Sequence, residues 1–180
     1  MEFIQDPATL EGVYGPLVGA HQADDQPRSA EITAEYRMFL ARATMMVLAS
    51  IDLDGVTCSP RGGSAGSIAL VGDTRTLWVP DAAGGRTHQT VHNVLGDPRV
   101  GLLFMAPLDQ RVLRVQGLAR ISVDPVVLAS FPGLDPPLRS VLVVDVQSVR
   151  LSGRGPLRRA GLWDVAGASR RDAAAQPTLP

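Results

Sequence analysis

The sequence predicts a mainly β protein in which six or seven antiparallel strands, with few helices, close or nearly close into a barrel. Two observations carry this prediction. Short runs rich in β-branched and aromatic residues recur between residues 44 and 151, and turn signals such as Asp54-Gly55 and Gly72-Asp73 separate them. Closure removes the exposed edges that an open sheet leaves.

Residues up to about 28 hold Gly, Pro and Asp at irregular spacing and are expected to wrap the surface in an extended form. Ser29 then caps a helix. Its Ile32, Tyr36, Phe39 and Leu40 make one apolar stripe, with Glu31 in the first turn and Arg42 in the last, as the helix dipole favours. Residues 44–51 and 56–60 read as a hairpin joined through Asp52-Leu53-Asp54-Gly55. Residues 67–71 and 76–80 form a second pair, stopped at Pro80-Asp81 because proline cannot continue a ladder.

Residues 82–87 form a glycine loop. Thr87 is expected to cap a short helix from about His88, with Val91, Val94 and Leu95 on the core and Gly96-Asp97-Pro98 ending it. Residues 99–105 are a nearly continuous apolar strand, and residues 111–123 a longer alternating one. Asp124-Pro125 begins a short helix, and residues 139–151 supply the last strand. The organisation expected is an extended segment over 1–28, a barrel domain over 29–165 and a disordered tail over 166–180.

With 180 residues, 45% hydrophobic content and a net charge of −1, the chain is large enough for one self-sufficient core. All 17 basic side chains are arginine, which excludes a protein Schiff base. The single Cys58 excludes an internal disulfide and reads as a small strand residue, the alternative being a reactive thiol. No apolar run approaches the roughly 20 residues of a membrane span and the start is not basic, so a cytoplasmic location is expected. Positive charge gathers over residues 150–171, yet no aromatic platform accompanies it, and nucleic acid is not the expected partner. A Gly-x-Ser-x-Gly elbow is absent, so hydrolase chemistry has no support.

The loop carries the chemistry. A helix N-terminus with free N–H groups, a hydroxyl and the Arg86 cation suits a phosphate, the alternative being an ordinary capped loop with a solvated arginine. His88 and His92 have a spacing that places two imidazoles on one metal. No third ligand is evident, so His88 is expected to border the core and His92 to be solvated. A histidine acting as proton donor or haem ligand stays open.

Several phrases then resemble, in order, the pyridoxamine 5′-phosphate oxidase-like split-barrel flavoproteins. They are Tyr14-Gly15-Pro16, Val47-Leu48-Ala49-Ser50, Ser59-Pro60-Arg61-Gly62, Val79-Pro80-Asp81, the run from Asp97 to Phe104, Leu113-Arg114-Val115-Gln116-Gly117 and Gly161-Leu162-Trp163. The resemblance spans roughly residues 10–165 and implies a homodimer of six-stranded split barrels, with FMN in clefts at the interface. It also implies that Arg61 and Arg86, helped by Ser59 and Thr87, hold the FMN phosphate. Pro80 and Asp81 would lie along the flavin ring, and Arg159 and Trp163 would approach from the C-terminal end. For Arg61 the alternative is a pair with an aspartate at a strand end; for Trp163 it is a core anchor.

The chain departs from the family at Gly63, where an acid is usual, and in the loop 82–85. Gln89 replaces a further acid, and Ser152-Gly153-Arg154-Gly155 lacks the family's C-terminal lysine, which Arg154 is placed to replace. Losing two charge-assisted hydrogen bonds, at roughly 1.5–3 kcal/mol each, weakens cofactor binding by about two to four orders of magnitude. The resemblance thus implies an FMN-dependent oxidoreductase acting on a small organic molecule, with a reduced nicotinamide among the possible donors. The alternative is a flavin-free split barrel that binds or rearranges a small apolar metabolite, or binds haem, in the same cleft.

Overall fold

A computed structural model describes residues 3–15, 28–81, 88–134, 138–153 and 155–163. Its strands are β1 (Met45–Asp52), β2 (Gly55–Gly62), β3 (Leu70–Val71), β4 (Thr76–Pro80), β5 (Arg99–Met105), β6 (Val112–Ser122) and β7 (Val141–Ser152). Its helices are α1 (Pro7–Tyr14), α2 (Ala34–Arg42), α3 (Gln89–Gly96), α4 (Pro125–Ala129) and α5 (Gly155–Ala160). Every pairing is antiparallel, in the order β2-β1-β5-β6-β7-β4-β3.

The mainly β, antiparallel architecture follows the turn pattern. Strand number is seven among the described residues, where the family pattern implies six, because the two-residue β3 extends one end of the sheet. No ladder joins β2 to β3 or β4 among these residues, so the barrel stays open along one seam. None of the described helices is long and apolar enough to cross a membrane.

The hairpin of β1 and β2 runs from Met45↔Gly62 to Asp52↔Gly55. Asp52 accepts the Asp54 N–H at 2.9 Å, and Gly55 takes φ +130°, which side-chain-bearing residues rarely adopt. Alternate residues then build one core: Met46 and Leu48, Leu102 and Phe104, Leu113 and Val115, Leu77 and Val79 are all buried. Each such Leu or Phe contributes about 1.5–3 kcal/mol, so this layer dominates stability. Between Gln116 and Gly117 the register shifts in a bulge, and a Cβ on Gly117 would collide with the Asp145 carbonyl oxygen.

Two local expectations are corrected. Residues 7–14 are helical, not extended: the Asp6 carboxylate caps α1 by accepting the Thr9 N–H at 2.9 Å, and Pro7 opens its first turn. The cap of α2 is Thr33 and its first-turn acid Glu35, not Ser29 and Glu31. Ser29 instead accepts the Glu31 N–H with its hydroxyl and exchanges backbone hydrogen bonds with Val149. The C-terminal region also includes α5, which no apolar periodicity announces. The stripe of Ile32, Tyr36, Phe39 and Leu40 is buried as expected. The tail over 166–180 lies outside the described residues.

Candidate functional site

The seam is where chemistry gathers. Thr57, Ser59 and Arg61 of β2 pair with Ser50, Leu48 and Met46 of the buried row, so their side chains face the interior side of the sheet. A guanidinium there needs polar partners. Arg61 Nη1 donates to the Pro80 carbonyl at 2.8 Å, and Nη2 donates to Asp81 Oδ1 at 3.2 Å and to Thr90 Oγ1 at 3.1 Å. Pro80 ends β4 and Thr90 lies in the first turn of α3, so one side chain spans the gap that no ladder fills. The Arg61 and Asp81 side chains are only 19% and 14% exposed. Ser59 is half-buried on the same face.

The helix beside this seam differs from expectation. Its N-cap is His88, in the left-handed region at φ 45° and without a side-chain cap bond, not Thr87. Residues 82–87, including Arg86 and Thr87, lie outside the described residues. The buried face of α3 is Thr90, Asn93 and Val94, while Leu95 is 73% exposed. Polar residues take the inner face because their bonds are made there. Asn93 Nδ2 donates to Ser50 Oγ at 2.9 Å, and Asn93 Oδ1 accepts from Gln89 Nε2 at 2.8 Å. His88 and His92 are both exposed, so His88 does not border the core. No cluster among the described residues suits a metal ion.

Trp163 is held elsewhere. Its indole N–H donates to the Asp109 carbonyl at 2.9 Å, fastening the segment after α5 to the β5–β6 loop. The Asp109 carboxylate meets Arg111 Nε at 3.1 Å, Arg111 Nη2 at 2.9 Å and Arg42 at 3.0 Å. Arg111 also donates to Glu35 at 3.0 Å. The Arg111 hydrogen bonds, above all, pull the Asp109 carboxyl down to about 2 against the opposing effect of burial. The structure therefore brings Ser59, Arg61, Pro80 and Asp81 together and sets Trp163 in a separate network. Arg159 is exposed.

Two departures from the family pattern gain a physical reason. A Cβ on Gly63 would lie 2.6 Å from Ser67 Oγ and 3.1 Å from Ile68, so the place of the usual acid is already filled. At Gly155 the Arg159 guanidinium approaches to 3.0 Å of the Cβ position, bringing a cation near the point from which the family's lysine departs. Neither glycine opens space. The sequence also gave no sign of Thr90 or Asn93, since a polar residue on a short amphipathic helix reads as exposed.

Open barrel, pairing order and seam define a class, and the comparisons name it. The family model described as pyridoxamine 5′-phosphate oxidase matches residues 32–153, and the chain belongs to this family. Its fold is similar to that of HupZ from group A Streptococcus, at TM-score 0.54 and 16% identity over 66% of this chain and 91% of that one. A candidate pyridoxamine 5′-phosphate oxidase from Lactobacillus delbrueckii gives TM-score 0.52 and 19% identity over 70% and 98%. General stress protein 26 from Bacillus anthracis gives 0.50 and 16% over 64% and 88%. A comparison with curated proteins finds no match.

Proposed function

We propose that the chain is a cytoplasmic FMN-dependent oxidoreductase, a homodimer acting on a small organic molecule in a cleft between subunits. The observation that carries this reading is Arg61, brought from an edge strand to the first turn of α3. A guanidinium, a threonine hydroxyl and a helix start form a donor set suited to a phosphate. In this structure the Asp81 carboxylate engages the Arg61 cation. A phosphate carries more charge and more acceptor oxygens, and exchanges with that carboxylate. Arg86 and Thr87 would complete the clamp, and Ser59 would border it. Pro80 and Asp81 would flank the ring, with Arg159 and Trp163 at the C-terminal side of the cleft. When bound, FMN supplies hydride transfer at its ring. The chain binds, orients and excludes water, and a reduced nicotinamide is the proposed donor.

One observation favours the flavin-free reading. The described seam holds no uncompensated cation, because Arg61 is paired with Asp81. Gly63 and Gly155 do not add to that reading, since Ser67, Ile68 and Arg159 occupy their surroundings. FMN titration followed by flavin fluorescence separates the two. Micromolar or tighter binding that weakens at least about tenfold in Arg61→Ala supports the flavin reading, as loss of a charge-assisted contact requires. Indifference to FMN sinks it, and an absorption band near 400 nm in the purified protein turns the assignment to haem.

A further inference from the structure

We propose that Ser50 and Asn93 are positioning residues for the seam. Their buried hydrogen bond fixes α3 against β1 at the place where Thr90 meets Arg61, so the anion clamp depends on two side chains that touch no ligand. The consequence for FMN rests on the flavin reading; the placement of α3 does not.

Among the described residues, little else fixes this helix. Its buried face is Thr90, Asn93 and Val94, so Val94 is the one fully buried apolar side chain on it. Val91 is half-buried, and Leu95 is exposed. The helix starts from a left-handed His88 that offers no side-chain cap. Apolar packing is non-directional, so one buried valine leaves a short helix free to slide or turn on the sheet. Hydrogen bonds, with their narrow range of distance and angle, remove that freedom. Two side-chain hydrogen bonds tie α3 to the strands among the described residues: Asn93 Nδ2 donates to Ser50 Oγ at 2.9 Å, and Arg61 Nη2 donates to Thr90 Oγ1 at 3.1 Å.

The two bonds differ in kind. Ser50 is 2% exposed and Asn93 4%, and in such a place a bond left unmade costs the full desolvation of its groups. Gln89 Nε2 donates to Asn93 Oδ1 at 2.8 Å, which turns the amide so that Nδ2 faces Ser50. Arg61 reaches from farther away. Its partner on β1 is Met46, four residues before Ser50, or about 13 Å at strand rise. Thr90 and Asn93 are three residues apart, about 4.5 Å along the helix axis. The long Arg61 side chain spans the difference, and its bond to Thr90 is lost if α3 shifts by about half an ångström. The short, buried Asn93 bond is the fixed point, and Arg61 is the arm that reaches to it. Thr90 then holds the same Nη2 that meets Asp81, so the place of α3 sets the aim of the guanidinium at the seam.

Thermal unfolding of the full chain, with Thr90→Val made in two backgrounds, tests the placement. In the natural background, loss of the Thr90 hydroxyl is expected to lower the midpoint by about 2–4 °C. In Ser50→Ala/Asn93→Leu, which removes both partners and leaves neither orphaned, the same substitution is expected to lower it by under about 1 °C, because Thr90 and Arg61 no longer meet. Ser50→Ala alone is a smaller change that should also shrink the Thr90 effect, and it guards against a double variant that does not fold. An undiminished Thr90 effect in the backgrounds that fold overturns the proposal. FMN titration is the second readout. The double variant is expected to bind FMN about tenfold more weakly than the natural protein while unfolding within a few degrees of it. A double variant that is as stable as the natural protein and binds FMN equally well also overturns the proposal, since Asn93 would then support the fold alone. A natural protein indifferent to FMN sinks the flavin reading and leaves the Thr90 effects to judge the placement of α3.

Discussion

Arg111 and Arg61 each meet an aspartate, yet they hold it differently. Arg111 grips both oxygens of Asp109 with parallel bonds and reaches Glu35 as well, while Arg42 and the Trp163 indole close the same loop. Arg61 gives Asp81 a single bond at 3.2 Å from a nitrogen it shares with Thr90. Bidentate geometry and redundancy make the first a lock. The second is a contact that another anion can take over, which is what a binding site needs.

Mutations should separate lock from clamp. Asp109→Ala removes two ion pairs from a side chain that is 11% exposed and is expected to cost about 3 kcal/mol, or roughly 6–12 °C in the unfolding midpoint. Acid gives a smaller effect of the same origin. The Asp109 carboxyl is held at about 2 in the folded chain against 3.8 ordinarily, so its contribution is complete above about pH 4 and fades as pH falls to about 2. Chemical denaturation should show about 2 kcal/mol lost across that window, and Asp109→Asn should lack this component. Trp163→Phe keeps an aromatic ring, though a smaller one, and deletes the hydrogen bond to Asp109, for about 1 kcal/mol. Arg61→Ala should cost clearly less than Asp109→Ala, about 1–2 kcal/mol, because it breaks a single ion pair at 3.2 Å where Asp109 is held by two arginines. A loss as large as that of Asp109→Ala would make Arg61 a second lock.

Much of this was legible in the chain. The strand runs at 99–105 and 111–123 and the turn at Asp54-Gly55 carry period-two patterns that tertiary contacts reinforce, and β5, β6 and the first hairpin follow them. Arg61 was readable as a phosphate ligand or as the partner of an aspartate, and the ion pair with Asp81 is the second of these. Polar burial was harder. Thr90 and Asn93 turn inward only because Arg61 and Ser50, 29 and 43 residues away, supply their bonds. The Trp163 anchor on Asp109 has the same character, a contact across 54 residues that no local pattern signals. Helix α1 is different: Asp6-Pro7 followed by Thr9 is a start signal, set among glycines and prolines that signal an extended chain.

The central claim is that Asp81 and the flavin phosphate compete for Arg61. FMN affinity should therefore be measured for the natural chain, Arg61→Ala and Asp81→Asn under identical salt. Competition predicts that Asp81→Asn, which releases the guanidinium and removes a negative charge, tightens binding by about tenfold while Arg61→Ala weakens it. An Asp81→Asn chain that binds FMN as poorly as Arg61→Ala would contradict the account, because the Asp81 carboxylate would then support the ligand and not compete with its phosphate for Arg61.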